Sequence, residues 1–164
     1  MTVCEVRDWQ LQARQVQEST AIGAYQIVGG TYRETLEALG LGCEVLFNRA
    51  TQDMFGLALL YRRGWPLFLN GSLSLEDFAH ELAGEWAAFP APYGPHKGFS
   101  RYRNVAGNKH QVELPVFMEF LRSLKDTVRS DGTLGASFCL TERERGGIFS
   151  AAQARCVWIS EVAL

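Results

Sequence analysis

The 164-residue sequence has no excess of charge of either sign: 16 Lys and Arg stand against 18 Asp and Glu, a formal net charge of -2. Binding to polyphosphate calls for a clustered surplus of cations, and without a basic tract the sequence predicts no nucleic-acid partner. Long apolar runs are missing as well. The longest, FGLALLY from Phe55 to Tyr61, is far short of the roughly 20 residues that cross a bilayer, so no membrane span is expected. Met1-Thr2-Val3-Cys4-Glu5 also lacks the basic and then apolar pattern of a signal peptide.

Metal-binding patterns are equally scarce. Cys4, Cys43, Cys139 and Cys156 stand far apart with no CxxC spacing, and His80, His96 and His110 show no HExxH spacing, so neither a metal site nor a cofactor is predicted. Buried free thiols are the default reading. Cys139 in SFCL and Cys156 in RCVWIS would face each other if these segments pair as strands, which leaves a disulfide there open. Asn70-Gly71-Ser72 matches a glycosylation sequon but reads better as an Asn-Gly turn.

What the sequence has in quantity is helical pattern. Thr2 with Glu5 forms a capping box, and Val6, Trp9, Ala13 and Val16 recur at helical spacing, predicting a helix over 3–17. Thr31 with Glu34 repeats the box for a helix ending at Leu39 before Gly40. A third helix is predicted over 49–63. Ser74 caps a fourth, in which Leu75, Phe78, Ala79, Leu82, Ala83 and Trp86 form one stripe that must end before Pro90. Pro115 opens a fifth, with Val116, Phe117, Phe120, Leu121, Leu124 and Val128 as its buried face. Leu36, Leu57, Leu82, Phe117 and Leu121 are expected in the core. Between Phe89 and Lys109 lies a long loop rich in Pro, Gly and aromatics, of the kind that carries function or is loosely ordered. The fold class that follows is all-α or α-dominated (α+β). Residues 1–129 form the main domain, and 130–164 form a C-terminal extension that reads as a hairpin or an appendage.

Several landmarks in order carry a resemblance. Ser19, Thr20, Gly23, Tyr25 and Gln26 fill a Ser-[Ser/Thr]-x-x-Gly-x-Tyr-Gln motif; Gln52-Asp53 and Arg63-Gly64 follow; Trp86, Pro90, Tyr93 and Gly94 fit Trp-x-x-x-Pro-x-x-Tyr-Gly. Over about residues 17–125 the chain resembles the lysozyme-like superfamily in its phage endolysin branch, the lambda-type lysozymes, which are lytic transglycosylases in mechanism. The resemblance implies a lysozyme-like fold and a protein that acts on or binds the MurNAc-GlcNAc strand of peptidoglycan. It also implies a phage virion or a bacterial host cytoplasm with delivery to the cell wall, and other virion proteins as partners.

The chemistry of a sugar groove explains these residue types. Hydroxyl and N-acetyl groups want neutral donors and acceptors, sugar C–H faces want aromatic rings, and close approach of backbone wants small residues. Ser19, Thr20, Tyr25, Gln26, Trp86 and Tyr93 supply the first two, and Gly23 with Ala24 the third. Taken singly, Tyr25 and Trp86 read as core aromatics and Ser19 and Thr20 as turn or cap residues; the groove reading rests on their joint occurrence.

The departure from the family lies in the acid. Its catalytic Glu ends a helix well upstream of the Gly-x-Tyr-Gln stretch, whereas only eighteen residues precede Ser19 here. Glu5 is accounted for by the capping box, which leaves Glu18 as the surrogate acid. The chain looks like one that begins after the catalytic helix. Two functions therefore stay open: a glycan-cleaving enzyme, and a catalytically inactive glycan-binding or structural virion protein on the same scaffold. A toxin or regulator using the segment after residue 130 is a third.

Overall fold

The computed structural model describes residues 1–105, 107–131, 138–139 and 156–157. The fold is dominated by helices: α1 (Val3–Ala13), α2 (Gly29–Leu39), α3 (Arg49–Arg62), α4 (Trp65–Asn70), α5 (Leu75–Glu85) and α6 (Leu114–Asp131). Two short strands, β1 (Phe138–Cys139) and β2 (Cys156–Val157), pair antiparallel with Cys139 opposite Cys156. The two segments thus pair as strands, whereas the chain that joins them and a Cys139–Cys156 disulfide lie outside what is described. The remainder of the 130–164 extension falls mostly outside the described residues.

The chain divides into two compact units, one of residues 1–59 with the paired strands and one of the described residues from Leu60 to Asp131, the division falling inside α3. In the first unit the Thr2–Glu5 capping box forms as expected, with Thr2 N–H donating to Glu5 Oε2 at 2.7 Å and Glu5 N–H to Thr2 Oγ1 at 3.3 Å. Thr2 also bridges to Leu46, with Val3 N–H donating to the Val45 carbonyl at 2.8 Å. That pairing brings Cys4 beside Cys43, and the two form a disulfide across a sequence separation of 39. The reading of these two as free thiols is thereby corrected. Tyr32, Phe47 and Phe55 make the aromatic core of this unit, with Tyr32 stacked on Phe55 at 4.8 Å and its hydroxyl donating to the Val3 carbonyl.

Two helix bounds differ from expectation. α1 stops at Ala13, so Val16 is 81 % exposed; the chain must turn there for the next segment to return under Gln10. α2 starts at Gly29, two residues before Thr31. Its Val28 N-cap offers no side chain, and Thr20 Oγ1 instead accepts from Gly29 N–H at 3.0 Å. Thr31 lies inside the helix, where its carbonyl accepts from the Thr35 hydroxyl.

In the second unit, Trp65, Phe68, Phe78, Ala79, Leu82, Phe117, Leu121 and Val128 form one buried cluster. Phe68 stacks on Phe78 and Phe89 on Phe117, each pair at 4.5 Å. Ser74 caps α5 by accepting from Asp77 N–H at 3.0 Å. α4, bounded by Gly64 and Gly71, is an element the periodicity did not reveal. Asn70 makes the expected turn, its Oδ1 accepting from Ser72 N–H. Leu36, Leu82, Phe117 and Leu121 are buried as expected, but Leu57 is half-buried because the inward row of α3 is Thr51, Phe55 and Leu59. On α6 the inward row is Phe117, Leu121 and Val128, while Val116 and Phe120 are about 60 % exposed and correct the wider stripe read from the sequence.

Candidate functional site

The Ser19–Gly29 segment is a loop fixed from beneath by α1, α2 and α3. Gln10, buried on α1, donates through Nε2 to the carbonyls of Thr20 at 2.7 Å and Ile27 at 2.8 Å, pinning both ends of the turn. Ile22 and Ile27 exchange backbone hydrogen bonds across it. Thr20 spends its hydroxyl on the start of α2, and Ser19 Oγ accepts from Ala21 N–H. Both residues thus stabilise the loop, which is the turn-and-cap role open to them in the sequence.

The landmark Gln52-Asp53 proves to be the loop's support. Gln52 Oε1 accepts from Ala24 N–H at 2.9 Å, and the Tyr25 hydroxyl donates to Asp53 Oδ1 at 2.7 Å. This hydrogen bond, ahead of burial, raises the Tyr25 phenol above its ordinary pKa. Gly23 is demanded twice over: its φ is +74°, and a Cβ there would stand 2.7 Å from Gln52 Oε1. Gly56, one turn along α3 from Gln52, lets the Tyr25 ring lie against the helix, where a Cβ would meet ring carbons at 2.8 Å. Local pattern could not have paired these segments; the Gln52-Asp53 dipeptide was the one available signal.

Gln26 stands apart. It is the one non-glycine among the described residues with positive φ, at 51°, and it is exposed. Its Nε2 donates to the Gly23 carbonyl at 2.8 Å. A carboxamide has two donors and an oxygen acceptor, so hydrogen-bonding capacity remains on the open side. Glu18, one residue before the loop, is exposed.

Trp86 and Tyr93 belong to the second unit. Trp86, the capping residue just past α5, is half-buried and meets the Phe89 ring edge-on at 5.9 Å, packed against the core. Tyr93 is exposed, stacks on the His80 ring at 4.3 Å, and donates to Asp77 Oδ1 at 3.0 Å. Hydrogen bonds from Ser74 and then Tyr93 lower the Asp77 pKa. Arg63 joins two acids: Nε donates to Glu85 at 2.8 Å and Nη1 to Glu81 at 3.1 Å, while Arg62 also reaches Glu85 at 3.3 Å. No group of three His, Cys, Asp or Glu side chains able to hold a metal ion occurs among the described residues. No helix among them is long and apolar enough to cross a membrane.

Burial, and then the Arg101 charge, pushes the His80 pKa below its ordinary value, against the opposing pull of Glu81 and Asp77. An unfolded histidine takes up its proton near pH 6.5, by the reference value for a free side chain. Folded His80 does so only at lower pH, so the unfolded chain binds more protons as pH falls below that point, and stability is lost across that window. Melting temperature should fall from pH 7 to pH 5. His80→Phe, which keeps a ring under Tyr93, should flatten the fall; an unchanged slope would mean that other groups set it.

No protein-family model, curated protein or solved structure matches the chain.

Proposed function

We propose that this protein binds the glycan strand of peptidoglycan through the Ser19–Gly29 loop, on a lysozyme-like scaffold. One observation carries the reading: Gln26 holds a left-handed backbone while exposed, on a loop whose other members are tied down by Gln10, Gln52, Asp53 and Gly56. A non-glycine residue in that conformation costs on the order of 1 kcal/mol. A surface that retains such an exposed residue, a neutral amide next in sequence to Tyr25, has the chemistry for hydroxyl and N-acetyl groups.

Binding is preferred to cleavage because of where the described carboxylates stand. A general acid for glycosidic cleavage works from a partly buried site that holds its proton. Glu18 is exposed, and Glu85, though its side chain is only 5 % exposed, is engaged by two guanidinium groups. The disulfide supports an extracytoplasmic setting, where such bonds persist and where the glycan is found.

Titration with chitooligosaccharides, followed by calorimetry, tests the reading. Gln26→Gly relieves the backbone strain but gives up the Nε2–Gly23 hydrogen bond, so the melting temperature should stay near the parent's, while binding weakens by about fivefold to tenfold, the cost of a hydrogen bond near 1 kcal/mol. Gln26→Gly binding as the parent does would refute the loop's role. A lysis band on peptidoglycan gels that vanishes in Glu18→Gln would replace binding by cleavage and make Glu18 the acid.

A further inference from the structure

From Trp86 to Val112 the chain contains no acidic residue, and within that span stand Lys97, Arg101, Arg103 and Lys109, all exposed. Four of the chain's 16 basic residues lie here, so the rest of the chain holds 12 against 18 acidic ones. Spread singly along the sequence they make no basic tract, but they share one loop with exposed Phe99 and Tyr102.

From Pro90 to Arg103 the loop is held by hydrogen bonds. Ala91 N–H donates to the Phe99 carbonyl at 2.9 Å and Gly98 N–H to the Ala91 carbonyl at 2.8 Å, while Pro90 bridges Ser100. Ser100 is fully buried. The Tyr102 hydroxyl donates to the Gly84 carbonyl at 2.5 Å and Arg101 Nη1 to the His80 carbonyl at 3.1 Å, anchoring the loop to α5. Arg103 lies over the Phe99 ring at 5.3 Å, and His110 meets that ring edge-on at 5.7 Å. Among the described residues no carboxylate forms an ion pair with Lys97, Arg101, Arg103 or Lys109.

We propose that this loop is a preformed surface for the carboxylates of peptidoglycan, those of the peptides linked to the muramic acid residues, with the aromatic rings taking adjoining sugar faces. The proposal rests on the glycan-binding reading and adds recognition of charge to it. Guanidinium and ammonium groups pair with carboxylates, and a fixed loop loses little conformational freedom on binding. A phosphate polymer fits less well: duplex DNA carries a charge about every 1.7 Å, and its field would repel the acidic remainder of the chain. Carboxylates placed at intervals along a neutral glycan suit a few separated cations.

The test uses the full chain and three supports: purified sacculi, the same sacculi with carboxyl groups amidated by carbodiimide and ammonia, and neutral chitin oligomers. Lys97→Gln/Arg103→Gln/Lys109→Gln should bind native sacculi about tenfold more weakly than the parent, the sum expected of three exposed charge pairs. The deficit should vanish on amidated sacculi and shrink as salt is raised. On neutral chitin oligomers, which carry no carboxylate, the tenfold deficit of this variant should be absent, and the weaker chitin binding of Gln26→Gly reports on the Ser19–Gly29 loop separately. The proposal is overturned if the triple variant binds native sacculi like the parent, or if its deficit persists on amidated sacculi. It is also overturned if the parent binds a single-stranded oligonucleotide or phosphatidylglycerol vesicles more tightly than sacculi and the substitutions abolish that binding.

Discussion

Cys43→Ser is expected to destabilise the first unit by about 4 kcal/mol. The disulfide to Cys4 closes a segment with a sequence separation of 39, and removing a cross-link of that span returns entropy to the unfolded chain on the order of that figure. Cys43 is exposed, so the serine hydroxyl meets water, and Cys4 remains a small buried thiol. The effect should therefore come from the lost constraint. The closed segment holds Gln10, the Ser19–Gly29 loop and α2, so hydrogen exchange should accelerate at Ile22, Gln26 and Ile27, whose amides the loop protects. Oxidised parent chain treated with a thiol reductant should approach the variant. Equal melting of the two, with unchanged exchange, would show that the Thr2–Leu46 pairing holds the unit by itself.

The elements legible in the sequence are those decided within a few residues. The Thr2–Glu5 box and the Ser74 cap each rest on partners three positions apart, and both form as read. Distant partners decided the rest. The start of α2 is set by Thr20, nine residues before Gly29, which the nearer Thr31 signal concealed. Cys4 and Cys43 meet because residues 1–3 pair with residues 45–47, an arrangement that no cysteine spacing announces. On α6 the apolar pattern is broader than the buried row, since Val116 and Phe120 fall on a row beside the one occupied by Phe117 and Leu121. α4 had a local signal, Gly64 and Pro66 before an apolar run, but at six residues it is too short for periodicity to register.

The candidate site divides in the same way. The motif named the loop, and composition supplied the reason for Tyr25 and Gln26, yet the loop's supports come from α1 and α3. That Gln52 and Asp53 would be those supports was visible only as the next landmark in order. The charge of the segment after Trp86 is inconspicuous in the sequence because single cations separated by Gly, Ser and aromatics do not form a run.

Glu85→Ala is expected to cost about 3 kcal/mol, and the reason begins with an oddity of placement. Glu85 is the last residue of α5, where the partial negative charge of the helix end opposes a carboxylate. Its side chain is also only 5 % exposed. Such a residue is tolerable only if cations answer it. Arg63 Nε at 2.8 Å and Arg62 Nη2 at 3.3 Å do so from the end of α3 and the residue beyond it. Removing the carboxylate takes away the buried acid that two guanidinium groups, 27 % and 32 % exposed, share. Breaking a fully buried pair costs about 3–5 kcal/mol, and partial hydration of the arginines places this one at the lower end. Glu81 supplies the internal comparison: it accepts from the same Arg63 at 3.1 Å but is 45 % exposed, so Glu81→Ala should cost under about 0.5 kcal/mol. Urea denaturation of the two variants measures the contrast. Similar losses for both would mean that the Arg63 hydrogen bonds, and not the burial of Glu85, set the stability of this junction.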